Sequence, residues 1–324
     1  FDEFLRNEAL LKGELDFTSK YTDVNQIMEL FSGMGDTTMM AEHEVAATDS
    51  IVQEDDPFMV PLGVDITLNT KINNAIAGDM NISNIGGGLT IKNGVMVLNE
   101  MGFTSEAATM KVTAMYRSPR KNHLYLGIDL HLLEIDIAEM IDLIPELDTL
   151  VPMLSSFAGK AEFHFAAETY LKSNYEMKLS TLKGATAIHG KDLVILDNNT
   201  YKKLGRLLGF KDKTHNMIDN LSVEITAFKN EIDVYPTLIT VDKYQAVVGG
   251  RHNLNMTFDY RLGMSNPWLF RRSGIIISGN PDDMKFKFTT KKNIALDMPK
   301  GDKEDVHRIE QTLRLKKMIY ESIK

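Results

Sequence analysis

Apolar and polar side chains alternate with a period of two along most of the chain. In GVDITLNTKI, Val64, Ile66 and Leu68 oppose Asp65, Thr67 and Asn69, and in MKVTAMY the apolar positions are Met110, Val112 and Ala114. LYLGIDLHL sets out Leu124, Leu126, Ile128, Leu130 and Leu132, while AEFHFAA gives Phe163 and Phe165 and VEITAF gives Val223 and Ile225. NLNMTFDYRL carries Leu254, Met256, Phe258, Tyr260 and Leu262, and MKFKF carries Met284, Phe286 and Phe288. Successive side chains of a strand point to opposite faces, so each run predicts a strand with one dry and one wet face, as antiparallel sheets have. Turn signals separate the runs: KNG at Lys92, HGKD at His189 and NPDD at Asn280. Well over ten strands follow from this pattern. That is too many for one flat sheet, so the sheet must curl, split or close.

Helical spacing is rarer. TDVNQIMELF (22–31) and IDIAEMIDLI (135–144) each place an aspartate, Asp23 or Asp136, before an apolar set at i, i+3, i+4 and i+7. Gln26 and Glu139 stand at the third helical position, which makes each a capping-box sequence. Each follows an alternating run that starts at a glycine, GELDFTSKY at Gly13 and GIDLHLLE at Gly127, so one strand-into-helix corner occurs twice. The likeness extends to 82–98 and 179–196, which share a strand and glycine-turn order with one residue inserted at HGKD. The chain therefore divides into a first β-unit (1–158) with a capped helix at 23–33 and an acidic loop at 36–56. A second β-unit (159–297) is introduced by a helix at 136–157, and a C-terminal amphipathic helix occupies 298–324, all in one continuous fold. Residues 200–210 are a further helical candidate, and Val306, Ile309, Leu313 and Ile319 mark the apolar side of the last helix.

Composition narrows the chemistry. The 324 residues are 43% hydrophobic and 25% charged, enough for a substantial core. A net charge of -9 argues against a nucleic-acid partner, which needs a basic surface to neutralise phosphate. With no cysteine, disulfide and thiolate chemistry are excluded. The richest apolar run, LIPELDTLVPMLSSFAG, is cut by Pro145, Glu146, Asp148 and Pro152 and does not reach the roughly 18 residues of a membrane span. The chain opens FDEFLRNE without an initiator Met, and it reads as part of a longer protein whose anchor would lie upstream.

No catalytic constellation stands out. Glu162, His164 and Glu168 share a strand face, but no neighbouring His completes a metal set, so they read as wet surface and no metal or cofactor is expected. GGG at Gly86 runs into a strand rather than a helix, which makes it a hairpin or bulge and not a phosphate loop. The pairs Asp55–Asp56 and Asp282–Asp283 sit in turn contexts beside proline. Neither G-x-S-x-G nor H-E-x-x-H occurs. Two surface features bear on membranes. Arg117, Arg120 and Lys121 lie in RSPRKNH, which is either a plain solvated turn or a contact for anionic headgroups. NPWLFRR holds Trp268 beside Arg271 and Arg272, and it can dip into a membrane interface or fold back over a groove or core.

The elements GELDFTSKYTDVNQIMELF and LGIDLHLLEIDIAEMIDLI, the module SFAGKAEFHFAAETYLKSNYEMKLSTLKGATAIHGKDLVILD and the closing TLRLKKMI resemble the C-terminal region of the AsmA-like proteins of Gram-negative envelopes. The resemblance implies a long twisted β-groove with an apolar interior. It also implies a periplasmic location behind an inner-membrane anchor, and a non-enzymatic role in moving phospholipid or another lipid and in outer-membrane assembly. Envelope proteins are then expected partners. The fold class that follows is α+β, mainly β: a strongly curved antiparallel sheet, an open half-barrel groove, built from two related β-units with a few amphipathic helices. Alternation alone leaves open whether the dry face is packed core or open groove. On the groove reading, the lipid-facing candidates are Leu124, Leu126, Ile128, Phe163, Phe165, Leu254, Met256, Phe258, Tyr260, Met284, Phe286 and Phe288. The alternative is a scaffold with a closed core whose loops bind partner proteins.

Overall fold

Each alternating run that the sequence marks out becomes a strand, and consecutive strands pair in the order in which the chain makes them. The computed structural model describes residues 11–26, 57–78, 80–143, 157–195, 217–241, 244–264, 274–280, 283–289 and 306–323. Within these residues lie β1 (Leu11–Asp23), β2 (Val64–Ala77), β3 (Met80–Lys92), β4 (Val95–Thr104), β5 (Thr109–Arg117), β6 (Leu124–Asp136) and β7 (Phe157–Leu171). The series continues through β8 (Lys183–Ile195), β9 (Met217–Phe228), β10 (Glu231–Val241), β11 (Tyr244–Asn253), β12 (Phe258–Met264), β13 (Gly274–Gly279) and β14 (Met284–Thr289). Together they form one strongly curved sheet that does not close, with β1 and β14 at its edges. Every pairing is antiparallel except β1 with β2, which run parallel.

Among the described residues, two α-helices longer than one turn accompany the sheet: α1 (Ile137–Leu143), between β6 and β7, and α2 (Val306–Ile323), at the C-terminal end. Both aspartate caps form as their sequences require. Asp23 Oδ1 accepts from the backbone N–H of Asn25 at 3.0 Å and of Gln26 at 3.3 Å. Asp136 Oδ1 accepts from Ala138 at 3.1 Å and Glu139 at 3.3 Å, which satisfies N–H groups that the helix itself leaves unpaired. The helix begun at Asp23 is described only through residue 26. The remainder of the expected helices 23–33 and 136–157, the acidic loop 36–56, the helical candidate 200–210 and the NPWLFRR loop with Trp268, Arg271 and Arg272 lie outside the described residues.

β-Bulges keep the alternation in phase. Leu98 and Met101 of β4 face Ala114 and Val112 of β5 across a register shift, with Glu100 at φ 45° between them. Leu132 and Ile135 of β6 face Phe163 and Ala161 of β7 in the same way, with Glu134 at φ 54°. One extra residue in one strand returns apolar side chains three positions apart to a single face. GGG is likewise a bulged stretch inside β3, with register shifts on either side of Gly86.

Three expectations need correction. HGKD does not turn: β8 runs through it from Lys183 to Ile195, and the inserted residue is absorbed by a register shift against Ala158–Lys160 of β7. NLNMTFDYRL is not one strand. β11 ends at Asn253 and β12 begins at Phe258, so Leu254 and Met256 occupy the connecting turn, where Met256 takes φ 65° and its N–H donates to the Asn253 carbonyl at 2.8 Å. α2 buries only part of the side expected. Ile319 is buried as expected, at 8% exposed, but its buried neighbour is Leu315, at 3%, whereas Ile309 and Leu313 are 44% and 61% exposed. The reason is the surface beneath it, which is polar under the first half of the helix.

Candidate functional site

Pairing fixes which side chains share a face, because residues directly opposite on neighbouring strands point the same way. Beginning at Leu15 on β1, the paired residues run through Leu68, Leu89, Leu98, Ala114, Ile128 and Ala167. They continue through Gly184, Ala227, Ile232, His252, Phe258 and Gly279 to Met284 on β14. This row crosses all fourteen described strands. Its only polar side chain is His252. At about 4.8 Å between strands it measures roughly 60 Å along the sheet, about twice the hydrocarbon thickness of a bilayer.

A second row lies beside it on the same face: Met101, Val112, Leu130, Phe165, Thr186 and Ile225, then Val234, Gly250, Tyr260, Ile277 and Phe286. Of the residues singled out from the sequence, Leu124, Leu126, Ile128, Phe163, Phe165, Phe258, Tyr260, Met284, Phe286 and Phe288 all fall on this one apolar face. Leu124 is wholly buried, Phe288 is 48% exposed, and the rest are half-buried. Leu254 and Met256, in their turn, do not join it.

The margins of the face are covered over its first half. On one side Val60 packs on Tyr116, Leu124 and Leu171, fixed by its N–H donating to Ser118 Oγ at 2.6 Å and by the Tyr116 hydroxyl donating to the Phe58 carbonyl at 2.8 Å. On the other side α1 inserts Met140 against Leu132 and Ile135, and Ile137 against Ala161, Leu193 and Ile218. The two rows run between these margins.

The opposite face is polar and carries α2. Glu162, His164 and Glu168 do share it, and each has its own partner. Arg308 Nη1 lies 2.8 Å from His164 Nδ1, and His164 Nε2 lies 2.7 Å from Asp129 Oδ1. A guanidinium only donates, so Nδ1 accepts and the Nε2–H donates to Asp129, which assigns a neutral imidazole. Burial is the largest single influence on the Asp129 carboxyl and would raise it, but the contacts with His164 and Thr312 and the nearby Lys316 charge together outweigh it and hold the group below the usual carboxylate range. His131 stacks on His164 with ring centroids 4.5 Å apart and meets Glu162 at 2.6 Å. Glu168, 7% exposed, accepts from the Tyr125 hydroxyl at 3.1 Å and from Arg314 Nη2 at 2.9 Å. Burial and the Glu168 charge push the Tyr125 phenol up. The His307 N–H donates to Glu224 at 3.1 Å. Among the described residues no group of three or more His, Asp or Glu is placed to hold a metal ion, and no helix is long and apolar enough to cross a membrane.

The second half of α2 meets an apolar patch of this face, where Leu315 and Ile319 pack on Val95, Val97, Met115 and Tyr125. Gly127 lets it approach, since a Cβ there would stand 2.6 Å from Leu315 Cδ1. Of the basic candidates, Arg117 is on this polar side with its guanidinium carbon 4.4 Å from the centroid of the Tyr125 ring. Arg120 and Lys121 are exposed in the β5–β6 turn, where the neighbouring His123 stacks on Tyr170 at 4.2 Å.

Sequence reasoning placed Tyr260 on the apolar face by strand parity but missed its buried partner His252, whose Nδ1 is 2.8 Å from the Tyr260 hydroxyl, and it missed the Arg308–His164–Asp129 chain. His252 comes onto the apolar face only through the β11–β12 hairpin register. No protein family, curated protein or solved structure matches this chain.

Proposed function

We propose that the protein is a non-enzymatic lipid-binding component of the cell envelope whose apolar face holds acyl chains. In this reading it conducts phospholipid between membranes and supports outer-membrane assembly, in keeping with its resemblance to the AsmA-like proteins. The observation that carries the reading is the unbroken row from Leu15 to Met284. An acyl chain needs continuous surface without hydrogen-bonding demands, and a groove that offers it must run across strands rather than stop at one. A sheet whose apolar face served only as core would have that face covered along its length. Here most of the row stays half-buried, and Leu15 at its start is 58% exposed.

The covered margins favour a second reading over the first half of the sheet, that of a closed scaffold whose loops bind envelope proteins. The test is direct. The purified chain is incubated with vesicles of diacyl phosphatidylglycerol, re-isolated, and its bound lipid extracted and counted. More than one lipid per chain is expected from a row of this length. A chain that returns without lipid overturns the reading in favour of the scaffold.

A further inference from the structure

We infer that His252 and Tyr260 form a hydrogen-bonding station within the apolar face for the ester carbonyl of an acyl-ester lipid, an inference that rests on the acyl-chain reading above. His252 is 2% exposed, and among the described residues its Nε2 has no hydrogen-bond partner. Its Nδ1 is 2.8 Å from the Tyr260 hydroxyl. A neutral imidazole and a phenol bring two polar hydrogens to this pair, one each, and the bond between them uses one. Whichever tautomer is present, one donor is left unspent: the Nε2–H if Tyr260 donates, the phenol O–H if His252 donates. With Tyr260 donating to Nδ1, the unspent donor is the N–H on the orphan Nε2, and the group that completes the station there is an acceptor.

Charge decides which acceptor. The pairing places Ile232 and Phe258 beside His252 and Gly250 beside Tyr260, whereas Arg251, Arg261 and Lys285 point to the other face. Among the described residues this part of the apolar face thus carries no cation. A carboxylate or phosphate oxygen would be taken out of water with no counter-charge, which costs far more than one hydrogen bond returns. A neutral ester carbonyl needs a single donor and nothing else. It also sits where a lipid's chain ends and its polar part begins, so a chain lying along the row brings its carbonyl to this height. Nε2 is closed off from solvent, so a carbonyl reaches it only when neighbouring side chains shift; the rings next to His252 on this face are Phe258 and Tyr260, with centroids 5.9 Å apart. The Tyr260 ring overlies Gly250, where an added Cβ would come within 2.7 Å of it.

The experiment compares binding of diacyl phosphatidylglycerol with that of its dialkyl ether analogue, which keeps the chains and headgroup and lacks the ester carbonyls. Three forms of the purified full chain are used: wild type, Y260F, and H252F/Y260F. The double variant removes both partners of the pair, a change that a folded core tolerates better than leaving one partner alone. The wild type is expected to prefer the ester lipid roughly three- to tenfold, the worth of one neutral hydrogen bond. The double variant is expected to lose that preference while still binding the ether lipid. With carbonyl-labelled ester lipid, the infrared carbonyl band should shift to lower wavenumber on the wild type and not on the double variant. Equal binding of the two lipids by the wild type, or a preference that survives in the double variant, overturns the station and leaves the acyl-chain reading standing. Failure of the wild type to bind either lipid overturns both.

Discussion

Leu132 and Ile135 lie on the same face of β6 although they are three positions apart, and Glu134 between them holds φ 54°. The bulge gains continuity of the apolar face at the expense of backbone strain, because an L-residue in the left-handed region costs about 1 kcal/mol. Glu134→Gly should relieve that strain and raise the urea midpoint by an amount equivalent to about 0.5–1 kcal/mol. Deleting Glu134 should remove the bulge and leave Leu132 and Ile135 two positions apart, still opposite Phe163 and Ala161, so folded protein with the apolar face in phase is expected.

The docking of α2 depends on the missing side chain at Gly127. Gly127→Val would put branched methyl groups where Leu315 now sits, and overpacking of this kind costs about 1–3 kcal/mol. The readout is limited proteolysis: cleavage within α2 should appear in the variant under conditions where the wild type is protected. An unchanged pattern would mean that the helix tolerates displacement.

Glu168 makes a second, independent demand on α2. Its buried carboxylate faces Arg314, whose own side chain is half exposed. Arg314→Ala removes one charge-assisted hydrogen bond, and the expected loss is about 1–3 kcal/mol by chemical denaturation. Glu168→Gln combined with Arg314→Ala should cost less than the sum of the single changes, since both act on one contact.

Burial holds the His252 imidazole below its ordinary pKa of 6.5. As pH falls, the unfolded chain therefore takes up this proton before the folded chain does. The stability supplied by the neutral buried ring is complete above about pH 6.5 and is lost as pH drops below that value toward the folded one. Between about pH 7.5 and pH 5.5 the wild type should lose more stability than H252F, and the difference between the two curves isolates this group from the other histidines. Parallel curves would contradict the assignment.

Much of this architecture was legible because period-two alternation is enforced by burial on one side. Val112, Leu130, Phe165, Tyr260 and Phe286 were each placed on the correct face from local pattern alone. The caps at Asp23 and Asp136 were legible for a similar reason, since a carboxylate before an apolar helical set has a local task. What failed depended on contacts distant in sequence. The turn at 254–257 contains neither Gly nor Pro, and Met256 adopts a left-handed conformation that nothing in LNMT announces. The buried side of α2 is set by Asp129, His164 and Glu168, which draw Arg308 and Arg314 to the sheet and leave Ile309 and Leu313 outside. The bulge in β8 read as a turn because HGKD has turn composition, yet its backbone is held on both sides by β7 and β9. The row across all strands was not visible at all, for it exists only in the registers between them.

The central claim is that this row is occupied by acyl chains, and photo-crosslinking tests it most directly. A photoreactive amino acid is placed at Leu89 on β3, Ile128 on β6 and Phe258 on β12, with Thr90 and Asp259 on the opposite face as controls. Lipid adducts at all three row positions, with none at the controls, are the predicted result. Crosslinks only to the protein itself at the row positions, or lipid adducts equally on both faces, would contradict it.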